Sequence, residues 1–396
     1  ADIRGTAQNP DVYFQNREAC NPYYNAFAGV VERQMERVAA LTGRPIHLFD
    51  YVGAPDAENI IVSMGSSCEV IEETVSYLNA RGYNIGAVKV RLYRPFAIDS
   101  FLSVIPPTVK RIAVLDRTKE PGAVGEPLFV DVACAVQQSG RQIKVIGGRY
   151  GLSSKEFDPT MVKAVYDHLS SAVPFTGFTV GINDDVTHLS LPAGAPIFIS
   201  PEGMIQAQFY GIGADGTVGA TKQAASIIGD SDKYYAQAYF QYSAKKSGGY
   251  TVSQLRVSTA PVKSEYCIEK ADYVACNKDT YVRKFDLTGN LKDGGILVLA
   301  SSWNVDKMTE IFPASLKRDI ARRGIKLYNV DAAAIAHAVG LGERINTIME
   351  TVFFKLMPVI PFDTAYADLK QRISTVYRHE GNAVVESNLA AISQAA

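Results

Sequence analysis

The densest chemical signal in the sequence is Gly211-Ile212-Gly213-Ala214-Asp215-Gly216-Thr217-Val218-Gly219, which matches G-x-G-x-x-G between an apolar run and a helical pattern. Glycines at such a turn let the backbone approach a pyrophosphate with no Cβ in between. The free N–H groups at the helix start add donors and a favourable dipole. The chemistry is anion binding. A dinucleotide loop also needs an acidic residue at the end of the next strand to hold the ribose hydroxyls. That strand instead ends at Gln241-Tyr242 and runs into Lys245-Lys246-Ser247-Gly248-Gly249, while Asp230 and Asp232 precede it. Two ammonium groups there suit a ligand with further phosphate. The other reading of these residues is a tight structural turn beside a solvated lysine pair.

No second constellation of this kind is present. Arg91-Leu92-Tyr93-Arg94-Pro95-Phe96 and Thr118-Lys119-Glu120-Pro121-Gly122 each follow a predicted strand, where ligand-contacting loops are common, but a subunit or domain contact is the preferred reading. Glu69, Glu72 and Glu73 share one helical stretch and read as a solvated face. There is no G-x-S-x-G, no H-E-x-x-H and no Walker loop. The five cysteines (Cys20, Cys68, Cys134, Cys267, Cys276) form no C-x-x-C pair, and the five histidines are equally dispersed. That pattern argues against iron–sulfur clusters and structural zinc, so no catalytic or metal-ligating residue is assigned. An odd, scattered cysteine set also fits a reducing cytoplasm.

The elements that must position the loop follow from periodicity. Helix formers with apolar residues at helical spacing predict a first helix over residues 22–42, ended by Gly43. Strands at 60–63, 86–90, 111–115 and 143–146 then alternate with helices at 68–80, 98–104 and 125–138. Nearly all-apolar strands alternating with helices imply a mostly parallel sheet covered on both faces. Prolines and glycines punctuate residues 171–200, the predicted linker. Beyond it come strands at 206–210, 235–241, 251–257, 273–276 and 296–299, with a helix from the glycine loop to Ile228. Helical patterns at 332–339, 344–356, 366–377 and 386–393 complete the chain. The expected organisation is α/β in two domains: residues 1–170, a linker over 171–200, and a Rossmann-like domain over 201–396.

Bulk properties bound the functions. A chain of 396 residues exceeds one ordinary core, and 47% hydrophobic with 20% charged residues is a globular composition. The net charge of −1 provides no field toward nucleic acid or anionic membrane, and no apolar run approaches the roughly 18 residues of a membrane span. The start, Ala1-Asp2-Ile3-Arg4-Gly5, has neither a signal-peptide pattern nor an initiating Met, so the chain is expected to begin mid-protein.

Arg4-Gly5-Thr6-Ala7-Gln8-Asn9-Pro10-Asp11, residues 90–96, 116–122, 211–219 and 245–255, and Gly340-Leu341-Gly342-Glu343-Arg344-Ile345-Asn346 together closely resemble the middle of pyruvate:ferredoxin (flavodoxin) oxidoreductases. The resemblance spans the whole chain. It implies a homodimeric cytoplasmic enzyme that decarboxylates pyruvate on thiamine diphosphate with Mg²⁺. Electrons would pass through [4Fe–4S] clusters to ferredoxin or flavodoxin, and acetyl to coenzyme A. This chain would be its transketolase C-terminal-like domain and a gamma-type domain that covers the active site and binds coenzyme A. The thiamine and cluster ligands would lie elsewhere, leaving this segment inactive alone. By motif, Gly211, Gly213, Asp215, Gly216, Thr217 and Gly219 would face the coenzyme's phosphates, with Lys245 and Lys246 as counter-charges and Lys222 one turn into the helix. Gln254 stands where the family pattern leads one to expect His. The alternatives are a nicotinamide-nucleotide dehydrogenase module and a purely structural spacer.

Overall fold

The computed structural model describes residues 8–184, 186–212, 215–243 and 249–396. The chain divides into two compact units, residues 1–199 with 263–266, and residues 200–262 with 267–396.

In the first unit, helices α1 (Pro10–Glu18) and α2 (Asn21–Thr42) precede β1 (Phe49–Gly53), β2 (Asn59–Met64), α3 (Ser67–Asn79), β3 (Ile85–Val90) and α4 (Ile98–Val104). Then come β4 (Arg111–Asp116), α5 (Pro127–Ser139), β5 (Lys144–Tyr150), α6 (Pro159–Ser170) and β6 (Phe178–Val180). The sheet order is β1-β3-β2-β4-β5-β6, with every pair parallel except β1 against β3. The apolar strands bury both faces. Ile60 and Val62 join the core with Phe101, Leu128 and Val132 of α4 and α5. Ile61, between them, joins Val70, Val75, Val165 and Leu169 of α3 and α6. Alternation along an extended chain produces this division.

Two features of this unit differ from the sequence expectation. The stretch read as a linker, 171–200, contributes β6, whose Phe178 and Val180 are fully buried. After it, the Asp184 carboxylate accepts from Val186 N, Thr187 N and Leu189 N, each at 3.0 Å, and fixes the turn. The Pro/Gly punctuation reports the absence of helix there, while a three-residue strand is too short to show a period. The Glu69, Glu72 and Glu73 stretch is not a solvated face. The ammonium of Lys89 pairs with Glu69 at 3.3 Å and with Glu72, and Glu72 pairs again with Lys263. Glu73 accepts from Ser264 Oγ at 2.6 Å and Tyr266 OH at 2.9 Å. These acids hold the returning segment 263–266, whose residues lie 191 and 193 positions away in sequence.

The second unit contains β7 (Ile205–Gly211), α7 (Thr217–Gly229), β8 (Tyr235–Tyr242), β9 (Thr251–Ser258), β10 (Ala271–Cys276) and β11 (Leu291–Ala300). They are followed by α8 (Val305–Ile311), α9 (Ala314–Arg322), β12 (Lys326–Val330), α10 (Ala332–Ala338), α11 (Asn346–Leu356), α12 (Phe362–Val376) and α13 (Asn382–Ala395). The order β12-β11-β10-β7-β9-β8 is parallel from β12 to β7 and antiparallel from β7 to β8. Phe209, Tyr273 and Ala275 pack beneath α7 and α11, while Tyr210, Val274 and Cys276 face the opposite core with Phe312 and Leu316. Both units are thus mixed, mostly parallel six-stranded α/β sheets.

Candidate functional site

The chain leaves β7 through α7 toward β8 on one side, while β10, β11 and β12 extend from its other side. The crevice outside the carboxyl ends of β7 and β10 is therefore a topological switch point, where such sheets receive ligands. The glycine loop lies there.

Close approach explains two of its glycines. A Cβ on Gly211 would meet Thr217 Oγ1 at 2.4 Å and Asp215 Oδ2 at 2.7 Å, and one on Gly216, where φ is +81°, would meet the Asn346 side chain at 2.9 Å. Gly219 has nothing within 4 Å, so its missing side chain leaves the α7 surface open. Asp215 does not point outward as a phosphate-facing residue would. Its carboxylate accepts from Ile212 N at 2.9 Å and Thr217 N at 3.0 Å, folding the loop onto itself and occupying the first amide of α7. Thr217 is buried, and its Oγ1 accepts from Asn277 Nδ2 at 2.8 Å. Lys222 is exposed and lies over the Phe240 ring at 5.4 Å, a cation–π contact. Gly213, Lys245 and Lys246 lie outside the described residues.

The structure brings further residues to the loop. Asn277 directly follows β10, its N–H donates to Tyr210 O at 2.8 Å, and exposed Lys278 comes next on the same edge. Asn346, the last residue of the Gly340-to-Asn346 motif, begins α11 and packs on Gly216. Glu350, one turn later on α11, is 4% exposed. The signal for Asn277 is a polar residue at a strand's carboxyl end. For Glu350 it is a lone acid within an apolar helical run. Gln254, in place of the expected His, is buried within β9, where it donates to Gln241 Oε1 at 3.0 Å and accepts from Ile268 N. It holds the sheet together.

Of the two other loops singled out in the sequence, the first has its arginines paired within the first unit, while Lys119 to Gly122 of the second are exposed. Arg91 pairs with Asp50 at 2.7 Å, and Arg94 pairs with Asp131 at 3.0 Å while its guanidinium lies over Tyr93. At the head of the 116–122 loop, buried Asp116 accepts from Leu128 N at 2.9 Å and Phe129 N at 3.0 Å, pinning the start of α5. Burial nonetheless raises its carboxyl above the usual range, because desolvation outweighs those two bonds.

Burial pushes the thiols of Cys68 up to about 11 and Cys276 up to about 12, so both stay protonated. Among the described residues no three His, Cys, Asp or Glu side chains converge on a point that would hold a metal.

Residues 206–396 match the family model of pyruvate ferredoxin/flavodoxin oxidoreductase, and residues 57–162 match pyruvate:ferredoxin oxidoreductase core domain II. The chain is 55% identical over 392 residues to the pyruvate:ferredoxin oxidoreductase of Moorella thermoacetica, covering 99% of this chain and 34% of that one. It is 49% identical over 391 residues to the pyruvate-flavodoxin oxidoreductase of Enterobacter agglomerans, covering 98% and 33% respectively. Among solved structures, the pyruvate oxidoreductase subunit PORC of Thermotoga maritima is similar over 48% of this chain and 94% of its own, with a TM-score of 0.38 and 17% identity. The chain thus spans about a third of the length of the curated relatives it matches. With two family domains and about half of all residues identical across its whole length, the chain belongs to the pyruvate:ferredoxin/flavodoxin oxidoreductase family.

Proposed function

We propose that this chain is the coenzyme A-binding and active-site-covering section of an enzyme that converts pyruvate, coenzyme A and oxidised ferredoxin or flavodoxin to acetyl-coenzyme A, CO₂ and reduced carrier. The glycine loop at the β7 carboxyl end would seat the coenzyme's phosphates, with Lys245 and Lys246 as counter-charges. Thiamine diphosphate, Mg²⁺ and the clusters would be held by the rest of the polypeptide. Homodimerisation and a cytoplasmic location belong to the same proposal.

The observation that carries this reading is where the glycine loop lies, between β7 and α7 at the carboxyl edge of the sheet and beside the switch point. Coenzyme A has a pyrophosphate and a 3′-phosphate, and the strand after the loop ends in the Lys245-Lys246 region with no ribose-binding acid. Asp215 favours the rival reading of a structural turn, since it takes up two loop amides and adds negative charge. A competition titration of coenzyme A against NADH on this chain separates the readings. The proposal expects saturable binding of coenzyme A that NADH does not displace. Displacement by NADH supports a dehydrogenase module, and no saturable ligand supports a spacer.

A further inference from the structure

Behind the glycine loop, between α7 and α11, lies a small cavity lined by Phe209, Thr217, Thr221, Asn277, Asn346 and Glu350, among others. The space in it open to the centre of a water molecule is about 10 Å³, room for one. Three side-chain oxygens of its lining residues, Glu350 Oε1, Glu350 Oε2 and Asn277 Oδ1, are buried without a hydrogen-bond partner among the described residues. Buried polar atoms without partners are rare in folded proteins, and three around one water-sized space point to a ligand they share.

We infer that this cavity is an internal binding site for one water molecule, through which Glu350 positions Asn277 and, by the Asn277 amide, the first residue of α7 at the base of the glycine loop. The relay runs in one direction. Glu350 as the neutral acid donates to the water, the water donates to Asn277 Oδ1, and Asn277 Nδ2 donates to Thr217 Oγ1 at 2.8 Å. Thr217 N in turn donates to Asp215, which folds the loop. The surroundings favour the neutral acid. Burial raises Glu350 well above the usual carboxyl range, opposed only by the charge of Arg372 on α12, which is itself paired with Asp230. Among the other packed elements, Lys222 of α7, His337 of α10, Glu386 of α13 and Lys355 of α11 itself are exposed. Tyr273 of β10, whose ring packs on Phe353, is buried and stays protonated. An ionised Glu350 would set a negative charge behind a loop proposed to hold phosphate. That consequence rests on the coenzyme A reading, whereas the water site does not.

The test compares the 396-residue chain with Glu350→Gln, which can still donate to the water, and Glu350→Leu, which cannot. Amide hydrogen exchange of the 211–222 segment, without ligand, reports how firmly the loop is held. The inference expects exchange within about twofold of wild type in E350Q and about tenfold faster in E350L, since one relay bond is worth roughly a factor of ten. Infrared difference spectra of wild type minus E350Q at neutral pH should show a protonated carboxyl band. Should E350L fail to fold, Asn277→Ala breaks the same relay from its other end and takes its place. Unchanged exchange in the variant that breaks the relay overturns the inference. So does an ionised Glu350, or loop exchange that depends on whether Na⁺ or K⁺ is supplied, because the occupant would then be a cation. Titration of the same proteins with coenzyme A keeps the two readings separate: exchange that follows the variants with no coenzyme A binding in any of them supports the water site and defeats the coenzyme reading.

Discussion

Gly211, Gly216 and Gly219 belong to one motif, yet packing demands glycine only at the first two. At Gly216 both a left-handed backbone and a Cβ contact of 2.9 Å oppose a side chain, while Gly219 opens on free space within a helix. Gly216→Ala should therefore lower stability by about 1–3 kcal/mol. Gly219→Ala should leave it unchanged or raise it by up to about 1 kcal/mol. Urea unfolding of both variants checks the contrast, and equal effects would mean that the loop geometry is wrong. Glu350 gives a second residue-scale prediction, with its sign set by the direction of its shift. Its folded-state carboxyl lies well above the usual range, so the unfolded chain loses this proton first as pH rises. Stability is then complete below the ordinary carboxyl range and declines above it, up to the folded value. Glu350→Gln removes this decline, so its melting temperature should exceed that of wild type by a margin that grows from pH 4 to pH 8 (roughly, from the ordinary carboxyl value upward). A constant margin would contradict the assignment. The motif glycines were legible in the sequence because their spacing is local. Asn277 and Glu350 were not, since Asn277 reaches Thr217 from 60 positions away and Glu350 from further still; Asn346 stood in a quoted motif, but nothing local tied it to the loop.

At the level of elements, apolar runs bounded by helical patterns revealed β2 to β5, β10 and β11, because strands buried on both faces leave little choice of residue; β7 to β9 were read as strands too, although β8 is a half-exposed edge and β7 and β9 bury Gln206, Gln208, Ser253, Gln254 and Arg256. Edge strands β1 and β12 escaped, since their half-exposed residues show neither a continuous apolar run nor clean alternation. Helix α1 escaped for a related reason, as none of its residues is buried and no apolar stripe marks it. The α3 acids expose the main limit of reading charge locally. Three glutamates on one helix resemble a solvated face until a segment distant in sequence supplies Lys263, Ser264 and Tyr266. Desolvation raises the Glu72 carboxyl, but its bonds to Lys263 and Lys89 win and hold it below the usual range. Its contribution is therefore present above the ordinary carboxyl range and fades as pH falls through the lower folded value. Glu72→Ala leaves Lys89, 9% exposed, with Glu69 alone and should destabilise the first unit by about 2–4 kcal/mol at neutral pH. Thermal melts at pH 7 and in acid check this, and the loss should shrink in acid.

For the whole molecule, the division into two units carries a consequence for truncation. Residues 263–266 belong to the first unit, so a chain ending at 199 lacks Lys263, Ser264 and Tyr266, which bind Glu72 and Glu73. Such a chain should fold but melt below the first unit of the intact protein, and adding the 263–266 segment through a flexible linker should restore part of the difference. Equal melting would mean that the segment contributes nothing. The family assignment reaches further than either unit, because the relatives are about three times as long as this chain. Its proposed share of the reaction is coenzyme A binding, which should be weak here because the other walls of the site would come from the remaining domains. Calorimetric titration of the 396-residue chain with coenzyme A and with dephospho-coenzyme A, at low and high salt, tests that claim most directly. Coenzyme A should bind more tightly than the dephospho form, added salt should weaken it, and Lys245→Ala with Lys246→Ala should remove the difference between the two ligands with little change in melting temperature. Equal binding of both ligands, unaffected by salt and by the double substitution, would contradict it.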